Sequence, residues 1–159
     1  MSAAVAVTVE AVARTSPQAA FDVIVPIDLP TIFRASRLLP GVAGVRDQSG
    51  PWDHAGATRT VMLTDGSQIA ERLTAVERPS GFTYRLDQIT GRLRLLVSHA
   101  DGEWQFMPGP DGDTLVRWTY AFTPRAGRRA LVRLVLAPLW RGYAQRALNL
   151  AVDAAQQPG

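Results

Sequence analysis

Phe82–Phe106 reads FTYRLDQITGRLRLLVSHADGEWQF, and the alternation within it decides the fold class. Apolar and polar residues trade places from Phe82 to Asp87, again from Leu93 to Leu95, and again from Trp104 to Phe106. A period of two is that of half-buried strands. Thr90-Gly91 and Asp101-Gly102 punctuate the pattern, and both dipeptides suit two-residue hairpin turns.

The same grammar extends in both directions. Asp65-Gly66 is another hairpin signal, Pro79-Ser80-Gly81 suits a three-residue turn, and Pro110-Asp111-Gly112-Asp113 marks one more reversal. Strands are predicted near 58–64, 67–77, 82–89, 92–100, 103–108 and 114–123. Val5, Val7 and Val9 alternate with Thr8 and Glu10, so a further strand opens the chain and ends near Arg14. Ser16-Pro17 is an N-cap followed by proline at the first helical position, predicting a helix to about Ile24. Asp28-Leu29-Pro30 repeats the signal and predicts a second short helix to Ser36. Residues 38–56 read as loop. Pro124 ends the last strand, and Arg125 to about Ala155 reads as one long helix. The prediction is a single α+β domain over 1–159, a seven-stranded antiparallel sheet curled around a C-terminal helix.

Turn chemistry assigns the faces. A two-residue turn at Asp101-Gly102 pairs His99 with Trp104 and Val97 with Phe106. One at Thr90-Gly91 pairs Gln88 with Leu93, Leu86 with Leu95 and Tyr84 with Val97. The predicted inner face collects Phe82, Tyr84, Leu86, Gln88, Leu93, Leu95, Val97, His99, Trp104 and Phe106, joined by Val116, Trp118, Tyr120 and Phe122. With three residues in the 79–81 turn, Arg72, Thr74 and Val76 face the same way. With two, Arg72 points outward and Glu71 turns in. Asp87 faces Arg94 on the other side. An aromatic face with a few inset polar groups is the composition of a small-molecule pocket, and equally of a filled core under a helix.

Composition removes much familiar chemistry. The 159 residues contain no cysteine and no lysine, and all 17 basic residues are arginine. Disulfides, thiol nucleophiles, Schiff bases and the phosphate-loop lysine are excluded. Only His54 and His99 are present, so no HExxH metal site exists, and His54 beside Asp53 lacks a third ligand. The expectation is no cofactor and no metal. The high pI reflects arginine, while the net charge is only +3, so no nucleic-acid partner is expected. Met1–Val9 carries no basic leader, and no stretch is long and apolar enough to span a bilayer. A cytoplasmic location without stable membrane insertion is expected, as a monomer or homodimer.

Several phrases carry a family resemblance: Asp65-Gly66 followed by Glu71-Arg72-Leu73-Thr74, Phe82-Thr83-Tyr84-Arg85, Glu103-Trp104-Gln105-Phe106, Val116-Arg117-Trp118-Thr119-Tyr120 and Leu136-Ala137-Pro138-Leu139-Trp140. With the element order, they resemble the START/Bet v 1-like (SRPBCC) superfamily of helix-grip proteins, and among these the bacterial polyketide cyclase/dehydrase-like members. The resemblance spans about residues 5 to 155. It implies a cavity between sheet and helix that holds a hydrophobic or aromatic molecule, such as a lipid or polyketide. The residues expected to line it are Arg72, Tyr84, Leu86, Gln88, Val97, His99, Trp104, Phe106, Trp118, Tyr120, Val135 and Leu139.

Three functions follow. The first is a binding protein, with the aromatic residues supplying affinity and Arg72, Gln88 or His99 orienting the polar end. The second is a polyketide cyclase/aromatase-type enzyme, with His99 or Tyr84 moving protons. The third is a protein-interaction module using the basic start of the last helix, Arg125, Arg128, Arg129 and Arg133. In that helix Leu131, Leu134, Val135 and Pro138 form one apolar stripe, while after Pro138 the apolar face shifts to Leu139, Trp140, Tyr143, Ala147 and Leu148. A kink or break at Pro138 is predicted.

Overall fold

The structure, a computed structural model, describes residues 3–157. The strands are β1 (Val5–Ala13), β2 (Val42–Arg46), β3 (Thr58–Leu63), β4 (Gln68–Glu77), β5 (Gly81–Asp87), β6 (Val97–Pro108) and β7 (Thr114–Pro124). They form one antiparallel sheet in the order β1-β7-β6-β5-β4-β3-β2. Helix α1 (Pro17–Ile24) follows β1, and Ser16 caps it by accepting a hydrogen bond from the Ala19 amide at 3.2 Å. Replacing that cap by alanine is expected to cost about 1 kcal/mol, read from the urea midpoint.

The C-terminal helix runs through three stretches: an α-turn at Arg129–Leu131, a π-helical segment at Val132–Leu136, and an α-helix at Ala137–Gln156. It lies along the edge strand β1. Its polar side chains cap that edge: Arg129 donates to the Ala3 carbonyl, Arg141 to Thr8 at 3.0 Å and Gln145 to Glu10 at 3.1 Å. These bonds satisfy carbonyls that an open sheet edge leaves unpaired. The inward residues Val132, Leu136, Tyr143, Ala144, Ala147, Leu148 and Ala151 bury the helix against the sheet.

Several expectations change. Asp101-Gly102 is not a turn: β6 runs straight through it, and Gly102 sits opposite Tyr84 on one side and Tyr120 on the other. Thr90-Gly91 is not a hairpin either. Arg92–Leu95 forms a 3-10 turn, and β6 begins after it. The pairs are therefore Leu86 with Ala100, Tyr84 with Gly102 and Phe82 with Trp104. A sixth expected strand disappears into β6, and β2 emerges within the expected loop. Its glycine-interrupted sequence pairs irregularly with β3, which hides the period-two signal. The second short helix shrinks to a 3-10 turn at Leu29–Thr31, and the last helix starts at Arg129, after Gly127 at φ +77°.

Pro138 neither breaks nor ends the helix. Proline cannot donate to the carbonyl four residues back and crowds it. The turn widens into a π segment just before the proline, which absorbs the misfit. The widening also rotates the faces. Val132 and Leu136 point inward, while Leu131, Leu134, Val135 and Pro138, the stripe expected to be buried, are exposed.

Candidate functional site

The concave interior is built from alternate residues of neighbouring strands. Phe82, Tyr84 and Leu86 come from β5, Trp104 and Phe106 from β6, and Val116, Trp118, Tyr120 and Phe122 from β7; all are buried. The rings touch in a continuous cluster. Trp104 stacks on Trp118 at 4.6 Å between centroids, and Tyr120 meets Trp140 of the helix at 4.5 Å. Phe33 and Tyr143 extend the cluster, with Phe33 lying 5.8 Å from Trp118 and Trp140 5.2 Å from Tyr143. Phe33 and Trp140 are only partly buried, so here the aromatic interior reaches the surface. The Tyr143 hydroxyl donates to the Pro40 carbonyl at 2.8 Å, tying the loop before β2 to the helix. Burial pushes its pKa up to about 12.

Polar groups are set into this apolar lining. Arg59 on β3 and Glu71 on β4 stand directly opposite each other, and their side chains meet at 2.7 Å while both are buried. The Arg59 guanidinium also lies 3.9 Å over the Trp52 ring, a cation–π contact that is strong when desolvated. Burial raises the Glu71 carboxyl above the usual carboxylate range despite the arginine beside it. The Tyr84 hydroxyl accepts a hydrogen bond from Trp118 Nε1 at 2.9 Å. Burial, then the nearby Glu71 charge, pushes its ionisation far above the ordinary tyrosine value, and burial does the same to Tyr120. Both phenols therefore stay protonated near neutral pH and are not bases there. Trp140 Nε1 is buried with no hydrogen-bond partner among the described residues.

The expected lining separates into two sets. Tyr84, Leu86, Val97, Trp104, Phe106, Trp118 and Tyr120 are buried and inward, and Leu139 is partly buried on the helix. Arg72, Gln88 and Val135 are exposed, and His99 faces the outer side of the sheet. Bulges account for the misplacements of Arg72 and His99. A register shift between Leu73 and Ala75 leaves Thr74 unpaired, and on the far side of it Glu71 is inward and Arg72 outward. A shift between Val97 and His99 does the same in β6. Moreover, His99 and Trp104 share a face across a two-residue turn, but in a continuous strand a spacing of five residues puts them on opposite faces. Gln88 leaves the ladder at φ +49°, and Val135 belongs to the outward stripe.

On the outer face His99 has neighbours that superficially suggest a nucleophile, base and acid. Its Nδ1 is 3.1 Å from Ser98 Oγ, and its Nε2 is 4.0 Å from Asp101. The set is not organised for catalysis. Asp101 is gripped by Arg85 through bonds of 2.8 and 3.2 Å, and Ser98 also donates to the Thr123 carbonyl at 3.3 Å. The outer-face ion pair is therefore Arg85 with Asp101, and the expected pairing of Asp87 with Arg94 is not found among the described residues. The His54 side chain meets its neighbour Asp53 at 2.9 Å, and both are exposed.

Arg59, Trp52 and Trp140 were not read as site residues. The Arg59–Val61 alternation was the signal for Arg59; nothing local in the loop marked Trp52. One depression borders the aromatic lining at Phe82, Trp104 and Phe106, and another lies apart from it. The first, of about 430 Å³, is bounded by residues of β4, β5 and β6 from Ala75 to Pro108. The other, of about 330 Å³, lies between β1 and the helix.

Residues 4–156 match the family described as polyketide cyclase / dehydrase and lipid transport. The chain belongs to this family. Solved structures agree on the fold. Ara h 8.0201 is similar with a TM-score of 0.71 at 15% identity, covering 96% of this chain and 97% of its own. The protein XoxI from Bacillus cereus gives 0.67 at 20% identity over 94% of both chains. An uncharacterised protein from Bacillus thuringiensis gives 0.66 at 20% identity, covering 96% of this chain and all of its own, 100%. No protein of curated function matches. This member of the polyketide cyclase/dehydrase and lipid transport family is thus a helix-grip protein of the SRPBCC superfamily. No helix among its described residues is long and apolar enough to cross a membrane.

Proposed function

We propose that the chain, acting as one cytoplasmic domain, binds a hydrophobic or aromatic small molecule that carries an acceptor oxygen, such as a carbonyl-bearing polyketide, quinone or lipid. The observation that carries this reading is Trp140 Nε1, a buried donor with no acceptor in an otherwise aromatic lining. An unmatched buried donor costs about 1–3 kcal/mol, a cost that a ligand oxygen removes. Tyr84 supports the reading, because its hydroxyl accepts from Trp118 and retains a proton to donate. The rings at Trp140 and Phe33 are the entry side, since they are the partly exposed members of the cluster. Ligand entry requires these rings to move, because they are already in contact.

A cyclase-type reaction is the second reading, favoured by an inward carboxyl at Glu71. The geometry supports it less. Glu71 is held by Arg59, and Tyr84 and Tyr120 do not ionise near neutral pH, so the interior lacks a free base. Binding without turnover is the better account.

The test is a tryptophan-fluorescence titration with menadione and with 2-methylnaphthalene, which share a fused-ring shape but differ in acceptor oxygens. The native chain is expected to prefer menadione by about tenfold, the worth of one well-made hydrogen bond. Trp140→Phe removes most of that preference, while His99→Ala leaves it intact. Equal affinity for the two probes, or no saturable binding of either, contradicts the proposal.

A further inference from the structure

The exposed stripe at the start of the C-terminal helix has no role in the core. Leu131 is 45% exposed, Leu134 65% and Val135 48%, and Pro138 continues the same face. A second exposed apolar residue lies on a turn bonded to the chain just before the helix. The 3-10 turn at Arg92–Leu95 presents Leu95, 59% exposed, and is fastened to the helix approach by the Arg125 amide donating to the Leu96 carbonyl at 2.8 Å and the Arg125 side chain donating to the Arg94 carbonyl.

The charge along this stretch of helix has one sign. From Arg125 to Val152 the chain carries six arginines and no Asp or Glu, and Arg92 and Arg94 precede Leu95. Arg128, Arg129 and Arg133 are exposed in the first turns of the helix, where cations oppose the helix dipole. Their position therefore does not serve helix stability. A groove of about 330 Å³ runs beside the stripe, floored by Val5, Ala6, Ala137 and Pro138 and flanked by Arg133 and Arg141.

We propose that this face docks reversibly on an anionic lipid bilayer. Branched apolar side chains enter the boundary between headgroups and acyl chains, and the arginines pair with lipid phosphates. Charge complementarity selects this occupant. A second copy of the chain would set arginines against arginines, and a purely polar polyanion would leave Leu131, Leu134 and Val135 in water. The proposal does not depend on the ligand reading, and vesicle binding is measured without any ligand.

The experiment is cosedimentation of the full chain with vesicles of equal parts phosphatidylcholine and phosphatidylglycerol, beside vesicles of phosphatidylcholine alone. Binding to the anionic vesicles is expected to exceed binding to the neutral ones by at least about tenfold, and to fall in raised salt. Arg128→Glu/Arg133→Glu is expected to abolish the difference. Leu131→Ser/Leu134→Ser/Val135→Ser is expected to weaken binding by at least about tenfold while leaving the circular dichroism spectrum unchanged, because all three side chains are exposed. Should the triple variant fail to fold, Leu134→Glu alone makes the same test. Equal binding to neutral vesicles, or anionic binding that survives both sets of substitutions, overturns the proposal. So does a native dimer in light scattering that Leu134→Glu converts to a monomer.

Discussion

Glu71→Leu lowers stability by about 3–5 kcal/mol, because it leaves the Arg59 guanidinium buried without its carboxylate. Arg59→Met has a similar cost for the converse reason. The double variant Arg59→Met/Glu71→Leu behaves differently. Replacing both charges with apolar side chains of similar volume is close to neutral, or stabilising by about 1–4 kcal/mol, since two desolvation costs vanish together. Urea denaturation of the four proteins closes a double-mutant cycle and measures the coupling. The comparison also bears on function. On the proposed binding reading, a pair that contributes little net stability, set in the same lining as Tyr84, would give a bound molecule's polar end something to meet. The double variant should be folded, and its preference for an oxygen-bearing probe should be reduced. Single variants as stable as the native chain would show that the pair is not desolvated.

Gly102→Ala is the second substitution with a large effect. Gly102 lies mid-strand between Tyr84 and Tyr120, and a Cβ there would land inside the Tyr84 ring. The ring has little freedom to withdraw. Its hydroxyl is held by Trp118 Nε1, and Tyr84 also packs against Phe82 and Tyr120. Overpacking of this kind costs about 1–3 kcal/mol, and the constrained ring places Gly102→Ala near the upper end. In a Tyr84→Leu background the same substitution should cost less than about 1 kcal/mol, because the smaller side chain leaves room for the methyl group. A loss below about 0.5 kcal/mol in the native background would mean that Tyr84 does not lie on the glycine.

Gly102 also explains what the sequence hid. Asp-Gly is a strong hairpin signal, yet here the glycine makes room for a ring across the sheet, and Asp101 serves an ion pair with Arg85. That one residue pair has opposite meanings for the face of His99. Bulges at Thr74 and Ser98 then shift the alternation, so residues on the far side of each face the opposite way from an unbroken count. The aromatic lining survives these errors because Tyr84, Trp104, Trp118 and Tyr120 each lie in locally regular alternation. The helix-grip order was legible for the same reason: β1, β7 and α1 carry clean periodicity and capping. The charged groups were not, because Arg72 against Glu71 depends on a bulge that tertiary packing sets. Pro138 illustrates a third case. A proline within a helical pattern predicts a break, but a π turn absorbs it and exposes the stripe that amphipathic reading places in the core.

The most direct measurement is native mass spectrometry of the chain purified from its own host, compared with the Arg59→Met/Glu71→Leu variant prepared identically. The native protein is expected to carry a discrete small-molecule mass that denaturing extraction recovers as an apolar compound with an acceptor oxygen. The folded double variant should carry it at much lower occupancy. Contradiction would come from a native chain without bound mass that also fails to take up added menadione, or from equal occupancy in the two proteins.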